Sequence, residues 1–191
     1  MNLTKAVRNF FRKDDYQLSD GGVLVHGSIL AKGQYFESVN GKDERIHPNL
    51  IPAEGILAIL NVAFGAVAKY AGFYVAPYAG AVTPASNWTA ANFAATASEI
   101  TSTTEGWAGA TRAAWTPSAA AAGAIDNIAA KASFTIICTT SLNINGAAIM
   151  TENTRGGITG ALMSASRFAA TRVVYNTDVW ECGYRVTLTD S

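Results

Sequence analysis

The stretch "VWECGYRVTLT", Val179 to Thr189, alternates without a break. Trp180, Cys182, Tyr184, Val186 and Leu188 fall on one face of an extended chain. Val179, Glu181, Gly183, Arg185, Thr187 and Thr189 fall on the other. A period of two commits this end of the chain to a β-strand with one core face. The same period recurs upstream. "KASFTIIC" turns Ala132, Phe134, Ile136 and Cys138 inward. "LNINGAAIM" places Leu142, Ile144, Ala148 and Met150 on one face, with Gly146 at a bulge. "GFYVAPYAG" reads as a strand ending at Pro77, and "TRGGITGALMSASRF" as a turn at Gly156-Gly157 followed by a short strand. "TRVVYNTDVW" enters the last strand through an Asn-Thr-Asp turn. Strands about ten residues apart with short polar turns predict a mainly β fold, an antiparallel β-sandwich or jelly roll.

One helix interrupts this pattern. In "NLIPAEGILAILNVAFG", Pro52 suits the first turn, Glu54 favours the N-terminal dipole and Gly65 stops the helix. Ile56, Leu57, Leu60, Ala63 and Phe64 form a stripe expected to be buried. Before it, "GGVLVHGSILAKGQYFESV" reads as two short strands turning near Gly33, and "NGKDERIHP" as a charged loop opening on the hairpin dipeptide Asn40-Gly41.

Charge divides the chain. Of 28 charged residues, 14 lie within the first 54 positions, whereas only Glu99, Glu105, Arg112 and Asp126 lie between Tyr70 and Lys131. We therefore expect an N-terminal arm over residues 1–45, with a β-hairpin, and a sandwich domain over 46–191. Charged residues make up 15 % of the chain, against about 25 % in an ordinary soluble domain. The exterior must be built largely from Thr, Ser, Asn, Ala and Gly. Such a surface repels its own kind weakly and loses little hydration when covered, which favours burial against protein over a free monomer.

Residues 1–15 place Leu3, Val7, Phe10 and Phe11 at helical spacing among Lys5, Arg8, Arg12 and Lys13. This short basic amphipathic helix suits an acidic protein surface, a membrane surface, or its own domain. Four cations with no aromatic and basic interleaving elsewhere argue against nucleic acid. "GILAILNVAFGAVAKYAG" is broken by Asn61, Gly65 and Lys69, so no membrane span is expected, and nothing at the N-terminus resembles a secretory signal. Residues 83–127 are rich in Ala, Ser and Thr yet carry Trp88, Phe93, Trp107 and Trp115. They read as long loops with aromatic anchors folded over the sheet or against a neighbour. Trp88, Trp107 and Trp115 are thus candidates either for partner binding or for anchoring their own loops.

The inventory for catalysis is thin. His26 and His47 have no Cys, Asp or Glu at metal-ligand spacing, and each reads as a structural or surface residue. Asp14, Asp15 and Asp20 lack the remaining ligands of a calcium loop. Gly156 to Gly160 has no Lys-Ser/Thr after it and suits a hairpin turn better than a phosphate cradle. Glu99, Glu105, Asp126 and Glu181 are too scattered to pair as a hydrolase dyad. Cys138 and Cys182 lie on apolar faces and read as small buried hydrophobes. No catalytic group, cofactor or metal is expected.

The ordered landmarks "HPNLIPAEGILAILNVAFG", "FYVAPYAG" with a Thr-Pro loop and "NW", "ASFTI", "GALMSASRF" and a terminal "YRVTLTDS" resemble a family of small tailed-bacteriophage virion proteins associated with capsid decoration, or cement. The resemblance spans 46–191 and implies a separately made sandwich or jelly-roll module that binds the outside of the icosahedral shell between major capsid subunits. Residues 1–45 depart from that family's short leader, and the family supplies no functional residues to transfer. The leading expectation is a non-enzymatic virion protein, assembled in the host cytoplasm, that contacts the major capsid protein and works as a homo-oligomer, dimer or trimer. It needs no cofactor, nucleic acid or membrane. The alternatives are a tail or fibre adhesion module whose aromatic loops bind a receptor or glycan, and a small carbohydrate-active enzyme.

Overall fold

A computed structural model of the chain describes residues 16–19, 22–25 and 29–190. Two compact units emerge, one of residues 1–31 with 188–191 and one of residues 32–187. The smaller holds an antiparallel hairpin of β1 (Tyr16–Ser19) and β2 (Gly22–Val25), with Tyr16 opposite Val25. The segment 1–15 and His26 lie outside the described residues.

The larger unit is a mainly β sandwich of two antiparallel sheets. One sheet runs in the order β11 (Leu162–Val174), β10 (Leu142–Met150), β5 (Tyr74–Tyr78), β7 (Ala113–Ala114). The other runs β4 (Lys42–Pro48), β3 (Ile29–Val39), β12 (Val179–Asp190), β9 (Ala132–Ile137), β6 (Gly106–Trp107), with β8 (Ala124–Asp126) also pairing β12. The alternation expected of β12 holds where it meets the core. Trp180, Cys182 and Tyr184 are buried and Val186 packs against them, whereas Leu188, near the end of the strand, is exposed. Ala132, Phe134, Ile136 and Cys138 are buried opposite, as their spacing predicts.

Three expectations change. Gly33 makes no turn but lies inside β3, because a Cβ there would come within 2.4 Å of the Tyr184 hydroxyl, so the glycine permits a close crossing. The turn falls instead at Asn40-Gly41, both at positive φ, and "KDERIHP" after it is a strand, not a loop. The β3–β4 hairpin is therefore built into the main sheet from Lys32 onward, although its charge pattern suggested an arm over 1–45.

The bulge expected near Gly146 is present, as a register shift between Ile144 and Gly146. It reverses the phase of the strand. Ile144 joins Ala147 and Ile149 in the core between the sheets, whereas Ala148 and Met150 face a second core. That second core explains the long Ala-rich segment. Thr89 and Asn92 form a capping box that starts a helix, α2 (Ala90–Ala97), beyond the one short helix expected. Its Ala90, Phe93 and Ala97 pack with Trp88 on Tyr78, Ala148 and Met150, so the four-stranded sheet is covered on both faces.

Candidate interaction surface

Helix α1 (Ala53–Phe64) starts and stops as its sequence predicts, with Pro52 as N-cap, Glu54 in the first turn and Gly65 as C-cap. Its orientation is the reverse of the expectation. The side against β11 consists of Gly55 and Ala58. A Cβ on Gly55 would meet the Met163 carbonyl oxygen at 2.4 Å, so only glycine lets the helix lie this close to the strand. The Glu54 carboxylate fixes the approach by accepting hydrogen bonds from the Leu162 and Ala90 backbone N–H groups, each at 2.7 Å. That contact ties α1 to the start of β11 and the N-terminus of α2.

With the small residues inward, the large ones face out. The stripe Ile56, Leu57, Leu60, Ala63 and Phe64, expected to be core, is exposed. Ile56 is 50 % exposed, Leu57 59 %, Leu60 47 % and Phe64 87 %. Isolated exposed leucines are ordinary, but four large apolar side chains on one helical face form a patch of the kind that marks an interaction site. Beside it lies an apolar groove of about 220 Å³ lined by Ile59, Val62, Ala63, Tyr70, Phe73 and Met163, with Lys69 also in its wall. Tyr70 and Phe73 continue into a second groove of about 400 Å³ that reaches Trp115 and Pro117.

The charge-poor span next to this face is poorer still in free charge. Arg112 donates to both carboxylate oxygens of Glu99 at 2.7 Å, a buried bidentate pair completed by the Gly156 N–H at 3.1 Å and the Glu152 carbonyl at 2.8 Å. Glu105 accepts from the Thr139 backbone N–H and hydroxyl. Asp126 accepts from Arg185 at 2.8 Å, and this bond together with one from the Ile128 N–H holds its carboxyl below the usual range. Of the four charges between Tyr70 and Lys131, Glu99 and Arg112 thus pair in the interior and Asp126 pairs with Arg185, whereas Glu105 is an exposed carboxylate.

The ionised cluster around Glu37 is structural in form. Glu37, fully buried, accepts from Arg172 at 2.7 to 3.0 Å and from the Trp180 indole N–H at 3.1 Å. Burial works against its charge, yet the contacts from His47 and Arg172 outweigh that and keep the carboxyl below its ordinary value. His47 is buried, stacked on Phe168 at 4.3 Å, with Nε2 3.5 Å from Glu37. These groups are closed in by β3, β4, β11 and β12. No three His, Cys, Asp or Glu residues converge as a metal site among the described residues.

The tryptophans offered as partner contacts are internal instead. Trp88, Trp107 and Trp115 are 5 %, 2 % and 8 % exposed. Trp88 packs on Tyr78 and Phe93, and Trp107 lies between Phe134 and the Arg155 guanidinium. The Trp115 indole donates to the Tyr184 carbonyl at 3.0 Å. Each pins a loop to the sheet, which leaves no ring free for a partner. Lys5, Arg8, Phe10, Phe11, Arg12 and Lys13 fall outside the described residues. Cys138 and Cys182 are buried free thiols, as expected, and burial raises the pKa of both. The exposed α1 face was missed because its spacing announces a stripe without saying which side of the helix meets the sheet. The signal that could have found it was the pairing of Gly55 with Ala58 opposite that stripe. No family model matches this chain, and no curated protein matches it.

Proposed function

We propose that this chain is a structural virion protein that decorates the capsid of a tailed bacteriophage by adhering to the lattice of the major capsid protein. The observation that carries the reading is the exterior between Tyr70 and Lys131, which holds only four charged side chains: Glu99 and Arg112 pair in the interior, Asp126 pairs with Arg185, and Glu105 is an exposed carboxylate bonded to Thr139. A wall of Thr, Ser, Ala and Gly with so little free charge loses little hydration on contact and meets little like-charge penalty between closely spaced copies. Weak contacts of this kind become strong when repeated over a lattice, because each engaged contact raises the effective concentration of the next. The rigid two-layer sandwich supports the reading by presenting that wall without an ordering cost on binding.

The test is the composition of purified heads. The reading expects this chain at hundreds of copies per particle, roughly one for each of many lattice positions. A few copies, with binding to sugars or host cells, would replace it by a tail or fibre adhesion module.

A further inference from the structure

Among the described residues nothing covers the outward face of α1, and the chemistry of that face restricts what can. Between Glu54 and Glu99 the only charged residue is Lys69, and the Glu54 carboxylate is already engaged by two backbone N–H groups. A lipid surface would be met by a helix with a cationic rim, which α1 lacks. A basic protein patch would find no counter-charge here and an acidic one only Lys69. The outward stripe of Ile56, Leu57, Leu60 and Phe64 is apolar and so complementary to itself, the condition an interface across a two-fold axis must satisfy.

We propose that α1 of a second copy covers this face, the two helices crossing antiparallel about a two-fold axis. Phe64 of each copy enters the apolar groove beside the other copy's α1. Phe64 is the most exposed large apolar side chain of the described residues, at 87 %, and the groove of about 220 Å³ flanked by Tyr70, Phe73 and Met163 has the size and lining to receive a phenyl ring. The exposed parts of Ile56, Leu57, Ile59, Leu60, Phe64 and Val67 amount to on the order of 600 Å² per copy. That approaches the ~800 Å² per partner of a stable interface, and the groove lining that Phe64 enters adds to it. Each dimer then carries two lattice-binding walls, so self-association multiplies attachment without requiring it.

Sedimentation velocity on the full chain tests the interface, with Leu60→Glu and Phe64→Glu as variants. Both side chains are exposed, so circular dichroism should show the same fold in either, and melting should fall only by the stabilisation that the dimer supplies to the wild type. The wild type is expected to be a dimer at micromolar concentration, and each variant a monomer whose dimerisation is weakened by about a hundredfold or more. A monomeric wild type, or a dimer that survives both substitutions, overturns the proposal. So does a monomeric wild type that binds phosphatidylcholine–phosphatidylglycerol vesicles or purified major capsid protein and loses that binding in Leu60→Glu, because a different occupant is then identified. A chain that dimerises only after removal of residues 1–15 overturns it too, in favour of that segment as the natural cover. Particle attachment is scored separately. A solution dimer absent from heads keeps this interface and removes the decoration role, and a monomer found on heads does the reverse.

Discussion

Tyr184 shows how much one residue of the core decides. Its ring lies 4.6 Å from that of Tyr35, its hydroxyl accepts from the Asn49 amide at 2.8 Å, and burial pushes its pKa up to about 12. Tyr184→Asp would place an unpaired carboxylate there, and we expect a loss of more than about 4 kcal/mol, read as an unfolded or aggregated product. A soluble, cooperatively melting Tyr184→Asp protein would mean the strand is inside out. Glu37 makes a second prediction. Its carboxyl sits below its ordinary value of 4.5 in the folded chain, so it stabilises the fold at neutral pH, and the contribution is lost as pH falls through the folded pKa. Glu37→Gln should cost about 3–5 kcal/mol near neutrality by stranding Arg172. Melting curves of the two proteins should converge as the solution is acidified below the ordinary carboxylate range.

Among the elements, the strands facing the core were legible from sequence because one buried face imposes a period of two. Phe134, Ile136, Trp180 and Cys182 sit where that period places them. What the period does not carry is direction or phase. The α1 stripe was found but turned outward, since inward packing was decided by the absence of side chains at Gly55 and Ala58, not by the presence of large ones. The bulge near Gly146 was legible, but its consequence for Ala148 and Met150 depended on a second core built from α2, whose Ala-rich sequence resembles a loop. The buried Glu99–Arg112 pair was invisible because only the fold brings its two loops together. Gly55→Val tests the α1 seat. The added side chain meets the carbonyls of Leu162 and Met163, and we expect about 2–4 kcal/mol of destabilisation, whereas Leu57→Ser on the outer face, compared within the monomeric Phe64→Glu variant, should stay within about 0.5 kcal/mol in the same melting assay.

Across the whole molecule, the covered four-stranded sheet, the sparse free charge between Tyr70 and Lys131 and the apolar α1 face are the features on which the proposed adhesion rests. Deleting residues 1–15 should weaken attachment to heads while the sandwich retains its melting transition. Unchanged attachment would remove the basic segment from the contact. The most direct test is quantitative mass spectrometry of purified phage particles. Adhesion to a repeating shell predicts this chain in lattice-scale numbers, in fixed ratio to the major capsid protein and retained on washed heads. Its absence from washed particles, with the whole pool free in infected-cell lysate, would contradict it.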